Sequence, residues 1–206
     1  MKKLAITTIV ALFACASNAQ TANFEGSSMG LNLDLLAGSA KASVPEVFGI
    51  DGLGKNSTGA SLQAAYGFAV TPNTVISLGA TYGLTSPTVL DVSAGILGGN
   101  GVTAKLKDSY SLYVEPGYLI SNSTLAYGKI SYESAKLSGS NFTGEEKQSI
   151  HGTGLGFGIR TMIDKNLSLQ VEVKRVGYNT VQFIAEPGVD FKTTTTVGTI
   201  GLGYKF

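Results

Sequence analysis

Period-two alternation dominates this chain. Between residues 196 and 206 the large apolar side chains Ile200, Leu202, Tyr204 and Phe206 fall on every second position. Thr199, Gly201, Gly203 and Lys205 fall between them. Such a stretch is a strand with one greasy face and one small or polar face. The pattern recurs upstream. Residues 29–38 set Met29, Leu31, Leu33, Leu35 and Ala37 against Gly30, Asn32 and Asp34, while Phe24 falls off that parity. Residues 59–70 set Leu62, Tyr66, Phe68 and Val70 against Ser61, Gln63 and Gly67. Further strands are predicted at 74–85, 104–120, 124–137, 150–163 and 167–183, which makes eight. In the 104–120 segment, Leu106, Tyr110, Leu112, Val114, Pro116, Tyr118 and Ile120 share the greasy face. Pro116 cannot donate to a ladder, so it predicts a bulge near a rim. The 124–137 segment alternates least clearly, with Ala126, Gly128, Ile130 and Tyr132 outward.

The connections also alternate. Three are turn tripeptides, Thr71-Pro72-Asn73, Ser121-Asn122-Ser123 and Asp164-Lys165-Asn166, built from residues that favour tight turns. The other four are long and contain Val44-Pro45-Glu46-Val47-Phe48, Gly98-Gly99-Asn100-Gly101, Glu145-Glu146-Lys147 and Glu186-Pro187-Gly188. Short turns on one side and long loops on the other predict an all-β fold: an eight-stranded antiparallel up-and-down transmembrane β-barrel with its greasy face toward lipid. Closure pairs every backbone group, as a bilayer core requires. A soluble eight-stranded barrel is the rival fold. It would turn the greasy face inward, away from the face that carries the charges discussed below.

The first residues change the picture. Met1-Lys2-Lys3 precedes an apolar run from Leu4 to Ala16, and Ser17-Asn18-Ala19 then offers a small-x-small cleavage site before Gln20. This is the pattern of a removable secretory signal over 1–19, leaving 20–206 as the barrel domain. Cys15 after Leu12-Phe13-Ala14 suggests a lipoprotein alternative, which Phe13 disfavours. Cys15 is the single cysteine, so cleavage after Ala19 leaves no disulfide or thiol chemistry. Loss of Lys2 and Lys3 from 15 basic residues leaves thirteen against 14 acidic ones, a net charge near −1. No strong field would steer a nucleic acid to such a chain.

Inward parity selects the charges that face the lumen: Asp34, Glu115, Lys129, Arg160, Glu172 and Lys174. Glu115 and Lys129 flank the Asn122 turn at nearly equal distances, and Arg160 and Glu172 flank the 164–166 turn. Strands four to seven are thus predicted to offer one charge each to a common layer. An eight-stranded lumen is only wide enough for side chains, and buried charges must pair there. The expected outcome is a static plug that fixes register; exchange of partners to gate a narrow water path is the alternative. The alternate glycines from Gly152 to Gly158 line one face and make room for large neighbours; they do not form a phosphate loop. His151 is the single histidine, which excludes a His-rich metal site, and no cofactor motif is present. His151 and Thr153 share the outward parity, but threonine stands where a hydrolase would need serine. The apolar pairs Val47-Phe48, Val89-Leu90, Ile96-Leu97 and Phe183-Ile184 either cap the barrel or form a contact surface.

The stretches Tyr110-Ser-Leu-Tyr-Val-Glu-Pro-Gly-Tyr118, His151-Gly-Thr-Gly-Leu-Gly-Phe-Gly-Ile-Arg160, Asn166-Leu-Ser-Leu-Gln-Val-Glu-Val-Lys174 and Gly201-Leu-Gly-Tyr-Lys-Phe206 resemble the OmpA-like transmembrane domains and the small opacity-type outer-membrane proteins. The resemblance implies an outer-membrane location and contact with outer-membrane lipids. It also implies that Ile200, Leu202, Tyr204 and Phe206 act as the signal read by the assembly machinery. A non-catalytic structural or surface role is expected, with a surface ligand or host molecule at the loops and a monomeric state. A small channel comes second, and a lipid A-modifying enzyme a distant third.

Overall fold

The computed structural model describes residues 21–44, 48–51, 55–92, 102–141, 144–179, 181–182 and 190–206. The alternating segments form eight long strands: β1 (Gly26–Val44), β2 (Asn56–Thr71), β3 (Thr74–Gly83), β4 (Val102–Ser121), β5 (Thr124–Asn141), β6 (Gly144–Met162), β7 (Leu167–Tyr178) and β8 (Asp190–Lys205). Each pairs antiparallel with its sequence neighbours. β8 also pairs with β1, from Lys205 opposite Ser28 to Asp190 opposite Ser43, and this closes the barrel. Three short strands, Phe48–Asp51, Thr88–Val92 and Val181–Gln182, extend the wall at the long-loop end. No helix among the described residues is long and apolar enough to cross a membrane, which leaves the strands to do so.

The greasy face points outward. Phe157 is 71% exposed and Leu33 and Leu155 are each 66% exposed, so this belt has a favourable environment only in lipid. At about 3.3 Å per residue and a tilt of about 40°, the alternating run from Tyr110 to Ile120 covers roughly 25 Å, the height of a bilayer-facing band. Tyr82, Tyr110 and Tyr132 ring its long-loop side. Tyr66, Tyr118, Tyr204 and Phe206 lie toward the short-turn side, where the Tyr204 and Phe206 rings meet edge to face with centroids 5.2 Å apart. Amphipathic aromatic rings suit both polar boundaries of such a band.

Two apolar layers close the interior. At the short-turn end, Phe24, Val75, Leu119 and Leu125 pack with Met162. A 3-10 turn at Thr21–Asn23 delivers Phe24 to this layer. The turn is tied down by Asn23 Nδ2 donating to the Asn122 carbonyl at 2.9 Å and by Lys205 Nζ donating to the Ala22 carbonyl. At the long-loop end, Val89, Leu106, Leu137, Ile150, Val176 and Tyr178 form the second layer.

The structure corrects several expectations. Leu106 is buried in the upper layer and does not face lipid with Tyr110. The β4–β5 register shifts between Lys107 and Tyr110, and Asp108 adopts a positive φ of 49°. This bulge adds one residue and reverses which parity points inward. Pro116 makes no bulge: Val114 opposite Ile130 and Gly117 opposite Tyr127 keep one register on both sides of it. Phe24 departs from strand parity because it belongs to the stopper. Two turns are two-residue connections, since Thr71 pairs with Thr74 and Ser121 with Thr124. The seventh strand ends at Tyr178, and the first and last strands run further toward the loops than the alternation indicates. Of the apolar loop residues, Val89 is buried in the upper layer. Ile96, Leu97, Phe183 and Ile184 lie outside the described residues, as does the expected signal over 1–19.

Candidate functional site

The site is the lumen between the two apolar layers, and strand register assembles it. Val114 opposite Ile130 sets Glu115 of β4 beside Lys129 of β5. On the β6–β7 ladder, Arg160 lies opposite Gln170 and Gly158 opposite Glu172. The four charges meet. Lys129 Nζ lies 3.2 Å from Glu115 Oε1 and also contacts Glu172 Oε2. Arg160 Nη2 donates to the same Glu115 carboxylate, 3.2 Å from Oε2. Glu115, Lys129 and Glu172 are almost entirely buried. Two cations and two carboxylates give a neutral cluster, and each carboxylate retains a second donor. For Glu172 that donor is the Tyr127 hydroxyl at 3.0 Å. Lys129 Nζ stands 4.4 Å from the centre of the Tyr113 ring and the Arg160 guanidinium 5.1 Å from that of Tyr127, so two π-faces share the cationic charge. A Cβ on Gly158 would overlap the Tyr127 ring, and one on Gly154 would overlap Ser131 Oγ and crowd Glu133 and Lys174, so these alternate glycines of β6 leave space for the luminal side chains of neighbouring strands.

The other two predicted residues lie apart from the cluster. Lys174 pairs with Glu133 at 2.6 Å, and Ser131 Oγ donates to the same Glu133 oxygen. Asp34 belongs to no described ion pair. It accepts from Ser61 Oγ and Thr199 Oγ1, each at 2.7 Å. A neutral amide net flanks the charges. Gln170 Nε2 donates to Asn32 Oδ1 and Gln63 Oε1 at 3.0 Å each, while its Oε1 accepts from Arg160. Sequence reasoning missed Glu133, although it shares the inward parity of Lys129. The consecutive burial of Glu133, Ser134 and Ala135 is where strand alternation weakens. It also passed over Tyr113 and Tyr127, whose polar tips look unremarkable until their inward partners are known.

Above the cluster lies a cavity of about 100 Å³, with Lys129, Glu172 and Asp34 in its lower wall and Leu106, Val176 and Tyr178 in its upper wall. On the outer face, His151 stacks on Tyr132 at 5.9 Å between centroids and lies opposite Ser134 in the β5–β6 ladder. Its Nδ1 is buried without a hydrogen-bond partner. No group of three potential metal ligands occurs among the described residues.

A family model described as the outer membrane protein beta-barrel domain matches residues 6–206. Comparison with curated protein sequences finds no match. Among solved structures, the outer membrane protease OmpT of Escherichia coli is similar at 10% identity and a TM-score of 0.50, over 87% of this chain and 96% of that one. Neisserial surface protein A is similar at 17% identity and a TM-score of 0.49, over 88% and 100%. The attachment invasion locus protein of Yersinia pestis is similar at 16% identity and a TM-score of 0.47, over 88% and 99%. At these identities the likeness concerns the fold.

Proposed function

The chain belongs to the outer membrane protein beta-barrel domain family, and from that premise we propose that this integral outer-membrane protein acts through its cell-surface loops, on a barrel whose lumen is blocked by an ion cluster. The observation that carries the reading is the packed interior: a neutral, buried ion cluster lies between two apolar layers. A lumen blocked this way leaves the loops and the lipid-facing wall as the surfaces free to act. The cluster's role is to lock strand register and seal the barrel. The first 19 residues are a cleaved export signal, and the strand ending at Phe206 is the assembly signal. The partners are outer-membrane lipids, the assembly machinery and a surface ligand at the loops, and the barrel works as a monomer. Two measurements test this. Purified protein in planar bilayers should give no discrete conductance, and deletion of the long loops should abolish adhesion of expressing cells to a host-cell layer. Steady channel openings, or undiminished adhesion, would count against the reading.

A gated channel is the second reading. Its support is that Glu115 serves two cations and Lys129 two carboxylates, so partners can exchange without a net change in buried charge. If Lys129→Ala and Arg160→Ala leave the conductance at the wild-type level, that reading fails. Catalysis is the third. Ser134 opposite His151 supplies a hydroxyl–imidazole pair that parity alone does not reveal, but no described acid orients the buried Nδ1. We read the protein as non-catalytic.

A further inference from the structure

The bulge in β4 changes the outer face of the barrel as well as the lumen. Above it, Lys107 lies directly opposite Lys136 of β5. Opposed residues of an antiparallel pair share a face, and like charges so placed repel. Lys136 is exposed and stands between Ala135 and Leu137 of the interior layer, so the shared face is the outer one. Lys105, also exposed, is the next outward residue toward the loops and lies opposite Ser138. One carboxylate answers them. Asp108, in the bulge at its positive φ, sets Oδ2 2.8 Å from Lys136 Nζ, with both side chains more than half exposed. Among the described side chains of β4–β6 on this face above Tyr110, three lysines and one aspartate leave a net charge of +2. Directly below lies a surface of rings. Tyr110 is opposite Ser134, and Ser134 is opposite His151. Ser134 is buried although it points outward, while Tyr110 and Tyr132 are each 46% exposed and His151 stacks on Tyr132. A two-residue step rises about 5 Å on a strand tilted by about 40°, so Lys107 and Lys136 stand one such step beyond Tyr110 and Ser134. The headgroup layer outside the hydrocarbon has roughly that depth, about 5–7 Å.

We infer that this face seats the phosphate headgroup of an outer-leaflet lipid between Lys107 and Lys136. Charge selects the group. A phosphate monoester carries about −1.5 to −2 near neutral pH, which matches the surplus on this face. Placed between two opposed ammonium groups, it converts their repulsion into charge-assisted hydrogen bonds. Asp108 orients Lys136 and competes with the phosphate for it. Position selects a lipid over a dissolved ion. The cations stand immediately beyond the lipid-facing rings of Tyr110 and Tyr132, so a headgroup bound there leaves its chains against the apolar belt. Amphipathic rings suit that junction of head and chain. The site goes beyond the surface role proposed above and rests on that reading only in placing the long loops outside the cell.

Titration of the folded protein with lipid A in dodecyl maltoside micelles tests the assignment, with the bound fraction read by native mass spectrometry. Lys107→Gln/Lys136→Gln should weaken binding by about tenfold or more, the loss of charge-assisted contacts to one phosphate. Asp108→Asn removes the competing carboxylate and keeps a residue that accepts a positive φ, so it should tighten binding by about threefold. Lys165→Gln, in a turn at the opposite rim, should stay within about twofold of wild type. Lipid A stripped of its phosphates should bind as weakly as the double variant does to the intact lipid. If the double variant fails to show the gel migration of a folded barrel, Asp108→Asn decides alone. Binding undiminished in the double variant, no gain with Asp108→Asn, an equal loss with Lys165→Gln, or equal binding of the stripped lipid would each overturn the assignment. Displacement of the lipid by excess inorganic phosphate would mark a site for a dissolved ion and would overturn it too. Adhesion of expressing cells plays no part in this readout, so failure of the site and failure of the loop role are separate results.

Discussion

Lys129→Met isolates the energetics of the ion cluster. Methionine retains most of the length and packing of lysine and removes the charge. The substitution deletes the contacts of Lys129 with Glu115 and Glu172 and its approach to the Tyr113 ring. Glu115 still has Arg160, but Glu172 keeps only the Tyr127 hydroxyl. A buried carboxylate without its cation costs about 3–5 kcal/mol. With a urea dependence of about 2 kcal/mol per molar, the unfolding midpoint should fall by roughly 2 M. The chain has no tryptophan, so far-ultraviolet circular dichroism and heat-modifiable gel migration are the readouts. Lys129→Met/Glu172→Gln removes the stranded charge and should recover at least half of the loss. Lys136→Met removes a pair with Asp108 in which both side chains are more than half exposed, so it should not move the midpoint measurably. A drop below about 0.5 M for Lys129→Met, or no recovery in the double variant, would refute the argument that pairing dominates here.

Other changes probe separate parts of the barrel. Phe24→Ala should cost about 3 kcal/mol by opening the short-turn layer, read from the same urea titration. Asp108→Val, a β-branched residue at positive φ, should destabilise by about 1–2 kcal/mol, whereas Asp108→Gly should be tolerated; paired denaturation curves separate them. His151→Ala should leave the lipid A mass spectrum of expressing cells unchanged, and any lost acyl modification would revive the enzymatic reading. Phe206→Ala should lower the yield of folded protein in outer-membrane fractions without lowering total synthesis.

The lipid face was legible because a strand has a side-chain period of two, and one uninterrupted parity marks it from Met29 to Leu35 or from Leu155 to Ile163. The charge cluster was legible for a related reason: a tight turn fixes the pairing of the strands on both sides, so distances counted from Asn122 locate Glu115 and Lys129. The bulge was not legible. Asp108 and Ser109 are ordinary polar residues, and a one-residue insertion leaves no mark except a parity change, which Leu106 masks by being apolar on either face. Phe24 was opaque because a stopper is defined by what it packs against, and Val75, Leu119 and Leu125 are scattered along the chain. Glu133 was within reach, yet the neighbouring Ser134 and Ala135 blur the alternation that would single it out.

The seam between β1 and β8 differs in kind from the other ladders. Seven pairings join strands that follow one another along the chain, but Ser28 opposite Lys205 joins nearly its two extremes. Loop-closure entropy grows only logarithmically, so this contact costs about 2 kcal/mol more than a hairpin of some twenty residues. The difference in time is larger than that in energy, because non-local pairings are slow to form. Until the seam closes, a row of unpaired peptide groups runs along β1 and another along β8, each a template for pairing with a second chain. The vulnerable species during assembly is therefore an open eight-stranded sheet, and its two free edges set the interval during which the chain must be kept from its copies.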